Sequence, residues 1–168
     1  SMIVLFSAVI VATYTVAKEH ALQTGTEIFL RTQPVDPQDL FRGDYVNLSY
    51  DISWFDAGQM RSSYVRHFAL DETVYVTLDR SAEYVAIKQI HYHPPLGDVY
   101  LKGRVTDVHG DRVRVSYGIE NYYRADQVRR HTDGAPDQKN IGVLAAVDRR
   151  GHAIIKKLLW DKQEVRFE

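Results

Sequence analysis

The chain has no cysteine among its 168 residues. This absence excludes disulfides, thiolate metal sites and cysteine nucleophiles, and it permits an oxidising compartment without demonstrating one. Proline is scarce as well, with five residues against eleven tyrosines, a balance that suits strands better than disorder. The formal net charge is only −1. A nucleic-acid partner, which would require a basic excess, is therefore not expected.

The stretch from Met2 to Ala17 lacks charged residues altogether. As a helix it would be about 24 Å long, somewhat short of the roughly 30 Å hydrocarbon core of a bilayer. Three interpretations stay open: a membrane anchor, a signal-peptide core, and a buried or self-assembling helix. No basic residue precedes the stretch and no clear cleavage site follows it, which argues against a signal peptide. The sequence predicts an apolar transmembrane helix over residues 1–24 that contacts membrane lipid through Met2–Ala17.

A Gly-Asp dipeptide followed by strict apolar alternation occurs twice in the chain. This is the period-2 pattern of a half-buried strand entered from a tight turn. A pattern that occurs twice is more typical of architecture than of an active site, so the glycines are expected to supply turn backbone and the aspartates to bond nearby N–H groups. We expect the two tyrosines of the pattern to take equivalent buried positions. The residues concerned are Gly43, Asp44, Val46, Leu48, Tyr50 and Ile52, and then Gly110, Asp111, Val113, Val115, Tyr117 and Ile119.

Further landmarks recur in the same order. Asp79-Arg80 matches Asp148-Arg149, and residues 86–92 match residues 154–160. We therefore expect one β-domain over residues 25–168 that is internally duplicated, with halves at about 27–95 and 98–168. A single four-stranded sheet would leave its edges and one apolar face uncovered, so the predicted fold is mainly β, a barrel or sandwich of about eight strands. The predicted strands cover residues 27–32, 46–52, 72–79, 84–92, 99–105, 113–119, 141–148 and 152–160.

Two aromatic pairs, Trp54-Phe55 and Tyr122-Tyr123, follow the two Gly-Asp strands at matching places. Because adjacent residues on a strand face opposite sides, one member of each pair should point outward. These four side chains form the predicted partner surface. The alternative is that they only pack in the core and pair across strands.

The case for catalysis is weak. His91 and His93 alternate along a predicted strand and are weak metal candidates, but no fixed spacing nominates further ligands, so no cofactor is predicted. The chain contains neither a Gly-x-Ser-x-Gly elbow nor a Gly-rich phosphate loop. Tyr45 is replaced by Arg112 in the second half, so Tyr45 is the candidate position if the first half has a function that the second half lacks. No enzymatic activity is predicted.

Five residues, Gly43, Asp44, Tyr45, Leu48 and Tyr50, match in full the pattern Gly-Asp-Tyr-x-x-Leu-x-Tyr. In this the chain resembles the GDYXXLXY protein family, and the resemblance extends from the apolar N-terminus to the last strand. It implies a bacterial cell-envelope protein with an N-terminal membrane segment and an extracytoplasmic domain, often encoded beside a multi-pass membrane protein. It implies no particular reaction.

These features predict a membrane-anchored, extracytoplasmic domain that acts by binding a membrane-protein partner. Two alternatives stay open: a self-assembling surface or filament subunit packed through its N-terminal helix, and a hydrolase that uses carboxylates or a metal. An enzyme should bring polar groups together in one pocket of the first half. A binding module should instead present an outward apolar patch.

Overall fold

The computed structural model describes residues 25–33, 41–42, 45–57, 67–123, 141–160 and 163–164. Within these residues the chain is mainly β, with twelve strands and one short 3₁₀ turn, which confirms the predicted fold class in its coarse form. The predicted helix over residues 1–24 lies outside the described residues. Among the residues that are described, no helix is long and apolar enough to cross a membrane.

All strand pairs in the described part of the chain are antiparallel. The four strands that the alternation did not predict (β2, β4, β9 and β12) have only two or three residues each, too few to show a period. The strands are β1 (Thr26–Arg31), β2 (Phe41–Arg42), β3 (Tyr45–Asn47), β4 (Trp54–Asp56), β5 (Thr73–Asp79), β6 (Ala86–His91), β7 (Tyr100–His109), β8 (Arg112–Ser116), β9 (Asn121–Tyr123), β10 (Ile141–Val147), β11 (Ala153–Trp160) and β12 (Gln163–Glu164), and the 3₁₀ turn is Asp51–Ser53.

The strands form one five-stranded sheet, in the order β4-β8-β7-β5-β6, and two smaller groups, β1-β10-β11-β12 and β2-β3-β9. A bridge between Thr32 and Tyr50 links the two smaller groups, and the N–H of Gln33 donates to the carbonyl of Ser49 at 2.7 Å beside it. The five-stranded sheet is curled, since residues of both its edge strands, β4 and β6, line one cleft.

The first strand of each half pairs with the hairpin of the other half. β1 pairs with β10, with Leu30 opposite Val143, and β7 pairs with β5, with Gly103 opposite Val74. The same exchange joins β4 to β8 and β9 to β3. The two halves therefore share their sheets instead of forming separate ones.

The hairpins β5–β6 and β10–β11 carry the same irregularity. In each of them the second strand contains one residue without a partner in the ladder, Lys88 in β6 and Lys156 in β11. Both lysines point their ammonium groups at a carboxylate, Lys88 at Asp98 (3.3 Å) and Lys156 at Glu27 (2.6 Å). These ion pairs are partly exposed, so each should contribute little to stability.

The prediction that the first Gly-Asp strand runs unbroken through Ile52 is wrong. β3 ends at Asn47, and the N–H of Ser53 donates to the carbonyl of Tyr50 at 2.9 Å, which closes the 3₁₀ turn. In the second half β8 likewise ends at Ser116, before Ile119. The alternation also predicted that Ile52 and Ile119 are buried. This is confirmed, because both side chains lie in the core.

The core is one cluster to which both halves contribute. It consists of inward-facing aliphatic residues of the strands, four aliphatic residues outside the strands (Leu48, Ile52, Val85 and Ile119) and the two motif tyrosines, which are both buried as the alternation predicts. Its largest fully buried side chains are Tyr50, Ile28, Leu30, Leu101, Val74, Val76, Val105, Val113, Val115 and Val143.

Candidate binding site

Tyr50 and Tyr117, here called the tyrosine pair, each bond to the opposite half of the domain. Tyr50 is fully buried, and its hydroxyl donates to the carbonyl oxygen of Ile119 at 2.6 Å. Tyr117 is also buried, and its hydroxyl donates to the carbonyl oxygen of Ile52 at 2.7 Å. Each hydroxyl therefore reaches the residue two positions after the other tyrosine. Because both hydroxyls are engaged with buried carbonyls, this geometry favours a structural role for the pair.

The backbone of each tyrosine is held by a side chain three residues further on. The N–H of Tyr50 donates to Oγ of Ser53 at 3.2 Å, and the N–H of Tyr117 donates to Oε1 of Glu120 at 2.5 Å. The Glu120 carboxylate also accepts from the N–H of Gly118 at 2.9 Å. Ser53 and Glu120 are not among the site residues predicted from the sequence. The signal that could have found them is an oxygen-bearing side chain at the same distance after each motif tyrosine.

The tyrosine pair should make the fold sensitive to alkaline pH. Burial first, and the nearby Glu120 carboxylate second, raise the pKa of both hydroxyls above the ordinary value of 10.0. Because the folded pKa exceeds the unfolded one, their contribution to stability is complete below about pH 10 and falls above it by about 1.4 kcal/mol per pH unit for each tyrosine. We expect cooperative unfolding above about pH 10, with phenolate absorbance and loss of far-UV circular dichroism rising together. Titration of all eleven tyrosines in a chain that keeps its native dichroism would contradict this.

The second Gly-Asp dipeptide connects β7 to β8. Gly110 has a φ of +59°, and a type II′ hairpin turn requires a positive φ at its first central residue. The pair His109–Arg112 closes the hairpin. Asp111 is exposed, and its backbone carbonyl accepts from the N–H of Ala57 at 2.7 Å. This dipeptide therefore forms a turn and contributes one contact to the segment that follows β4.

The first Gly-Asp dipeptide, Gly43 and Asp44, lies outside the described residues, between Arg42 and Tyr45, which pair with each other. Leu48 is buried, and its N–H donates at 2.6 Å to a carbonyl of the second half. Only the backbone of Tyr45 is described. The expectation of a function at that residue stays a prediction.

The two histidine candidates lie at the end of β6. Nε2 of His91 is 3.4 Å from Oγ1 of the buried Thr77, while His93 is exposed beyond the strand. Within the described ranges, no group of three or more His, Asp or Glu side chains is placed to hold a metal ion. The structure thus brings no set of further ligands to these histidines.

The two members of the first aromatic pair, Trp54 and Phe55, make different contacts. The Trp54 ring lies beneath the guanidinium groups of Arg112 and Arg114, at 5.1 and 5.6 Å from the ring centre. Phe55 packs against the core and meets Phe68 edge to face at 5.2 Å. For the second pair only the backbone is described: Tyr122 and Tyr123 belong to β9, which pairs with β3.

A cleft of about 880 Å³ lies between β4 and β6, the two edge strands of the curled sheet. Its volume is in the range of protein ligand sites. One wall comes from the 3₁₀ turn and β4, the other from β6 and the connection that precedes it. Trp54 and Phe55 are the only predicted site residues that line it among those whose side chains are described. The lining residues are Arg31, Asp51, Ile52, Trp54, Phe55, Asp56, Ala82, Glu83, Tyr84, Val85, Ala86, Ile87, Lys88, Gln89 and Ile90.

The cleft combines aromatic faces with both signs of charge. The Arg31 guanidinium lies 4.7 Å from the centre of the Tyr84 ring. Burial raises the pKa of the Asp51 carboxyl, and the positive charge of Arg31 partly opposes this shift. Asp51 is exposed, and a carboxylate in such a cleft gains from a nearby cation or hydrogen-bond donor. The cleft is therefore suited to a ligand with both apolar and polar groups.

These features define an antiparallel β-domain in which the motif residues Leu48, Tyr50 and Tyr117 lie in the core, with an open cleft between two sheet edges. The chain belongs to the GDYXXLXY protein family, whose model matches residues 7–158. No curated protein and no solved structure matches the chain.

Proposed function

We propose that this protein is a membrane-anchored, extracytoplasmic domain that binds a membrane-protein partner in the cleft between β4 and β6. The observation that carries the proposal is the cleft itself, which is open and is lined by aromatic, aliphatic and charged side chains together. The tyrosine pair, in contrast, is engaged inside the core.

The composition of the cleft fits a protein partner better than a reaction. Aromatic residues and arginine are enriched at protein interfaces and supply most of their strongest contacts. Trp54, Tyr84 and Arg31 offer these groups on both walls of the cleft. The cleft does bring polar groups of the first half together, but its described lining includes no serine, threonine or histidine, so it holds no serine or threonine nucleophile with a histidine base.

The proposed location is supported by the uncharged stretch Met2–Ala17, which suits lipid contact. A domain held at a membrane by a single segment meets its neighbours at high effective concentration, so even a modest cleft can hold a membrane-protein partner.

We also infer that the domain is an internal duplication whose halves have exchanged their first strands. Three observations support this: the reciprocal pairing of β1 with β10 and β7 with β5, the pairing of β4 with β8 and β9 with β3, and the tyrosine pair. Phe55 pairs with Val113, and Tyr122 pairs with Val46, the residue of the first half that corresponds to Val113. Phe55 therefore corresponds to Tyr122. The sequence had instead matched Trp54-Phe55 with Tyr122-Tyr123, which is an alignment shifted by one residue.

Two single-cysteine variants test location and cleft occupancy together, because the chain has no cysteine of its own. Ala86→Cys is an exposed position that lines the cleft, and Leu96→Cys is a position that is 99% exposed outside it. The full chain is expressed in the native host and treated with a membrane-impermeant maleimide in intact spheroplasts. We expect labelling of Leu96→Cys in spheroplasts, whereas Ala86→Cys should be labelled only after the protein is solubilised and purified.

Three results would count against the proposal. Labelling of Leu96→Cys only after lysis would contradict the extracytoplasmic location. Equal labelling of both variants in spheroplasts would show an empty cleft. Protection of Ala86→Cys that persists in the purified protein and disappears on dilution would indicate self-association instead.

A further inference from the structure

β6 and β11 are corresponding strands in the two halves, but within the described residues only β11 has a strand on its outer side. There β12 pairs antiparallel, with Glu164 opposite Leu159 and Gln163 opposite Trp160. In the described part of the chain, β6 pairs with β5 alone and forms the edge of its sheet. The place on β6 that corresponds to β12 therefore has no strand from the described residues.

The sequence explains why β6 does not continue into such a strand. β11 continues into a short connection and returns as β12. β6 instead reaches Pro94-Pro95 three residues after its end at His91. Proline has no N–H to donate to a ladder, and the chain passes on to β7.

We propose that the outer edge of β6 accepts an extended segment of the partner protein as an additional antiparallel strand. The proposal rests on the proposed function and on the correspondence of the two halves, and it names the way in which the partner binds. Exposed strand edges are templates for this mode of recognition, in which backbone hydrogen bonds supply affinity and side-chain pockets supply specificity.

The backbone groups that would receive the strand follow from the register of β5. The N–H of Leu78 donates to the carbonyl of Val99, on the β7 side. Because successive residues of an antiparallel strand bond to opposite sides, Thr77 bonds toward β6, and its partner Gln89 bonds toward β5. The next residue, Ile90, then directs its N–H and C=O outward, at the edge of the cleft that it lines.

The cleft defines what the added strand should carry. Its alternate side chains that face β4 would meet Trp54 and Ile87, which favour apolar residues. The exposed carboxylate of Asp51, which lines the cleft, favours a basic side chain at one of these positions. The segment is therefore an extended one, with apolar residues, a basic residue and no proline at its paired positions.

The test uses the full chain in detergent and a synthetic peptide of residues 161–168, which contains the strand that pairs with the corresponding edge. In the full chain this edge of β11 is already paired with β12. The added peptide should therefore bind to the edge of β6. Amide hydrogen exchange is followed residue by residue by NMR. We expect the Ile90 amide to exchange at the rate of an open edge without peptide and to slow at least about tenfold with millimolar peptide. The same peptide with proline in place of Glu164 and Arg166 should have no effect.

Strong protection of Ile90 without peptide would overturn the proposal, since the chain would then cover this edge itself. Slowing only at β11, or equal effects of the two peptides, would overturn it as well. The cysteine-labelling result separates these failures from a failure of the proposed function. If Ala86→Cys is protected in spheroplasts while Ile90 does not respond, a partner occupies the cleft by another mode.

Discussion

Cutting the chain between Leu96 and Gly97 should leave the two halves bound to each other as one folded domain. The site is suitable because Leu96 is 99% exposed and lies between β6 and β7. A specific protease sequence is inserted there and the full chain is cleaved in detergent. The exchange of first strands means that each half completes the sheet of the other, so the cut protein should elute with the uncut one on size-exclusion chromatography.

Each half produced alone should be unfolded. The first half without its partner would expose Ile28 and Leu30, which are buried against β10. Full burial of one such side chain is worth about 1.5–3 kcal/mol, and a fold is stable by only about 5–15 kcal/mol in total. Mixing the two unfolded halves should restore native dichroism. Two fragments that fold separately and do not associate would contradict the exchanged arrangement and the duplication inferred from it.

The sequence could predict those parts of the fold that depend on local patterns of apolar and polar residues. Apolar alternation locates strands such as β5 and β10 and shows that Tyr50 and Tyr117 are buried, because a period of two sets the face of every residue. The order of landmarks also predicts two similar halves, and this duplication stays an inference. Neither observation depends on which strands become neighbours.

Which strands pair depends on contacts between residues that are distant in sequence. The alternation of apolar residues does not encode such contacts. Alternation is the same whether β1 pairs within its own half or with β10, so the exchange of strands could not be foreseen. The cleft was missed for the same reason. The cleft exists because the sheet curls and brings β4 opposite β6. Its charged residues, among them Arg31 and Asp51, do not belong to any recognisable sequence motif.

Replacing Tyr50 or Tyr117 with phenylalanine should destabilise the domain by about 1–3 kcal/mol each, because a buried carbonyl of the opposite half loses its donor. Alanine at either position should cost about 3–5 kcal/mol, since a cavity is added. The matched control is Tyr100→Phe, whose hydroxyl donates to the exposed carbonyl of Arg149 at 3.2 Å. Its effect should stay within about 0.5 kcal/mol. Urea unfolding at pH 7, monitored by circular dichroism, gives all of these values.

The same variants distinguish the hydroxyl bonds of the tyrosine pair from simple packing. Phenylalanine cannot ionise, so a variant with one tyrosine of the pair replaced should lose only about 1.4 kcal/mol per pH unit above pH 10, against about 2.7 for the natural chain. Tyr50→Phe should therefore be less stable than the natural chain at pH 7 and less sensitive to alkali. If Tyr50→Phe costs no more than Tyr100→Phe at pH 7 and has the alkaline slope of the natural chain, the hydroxyl of Tyr50 does not connect the two halves.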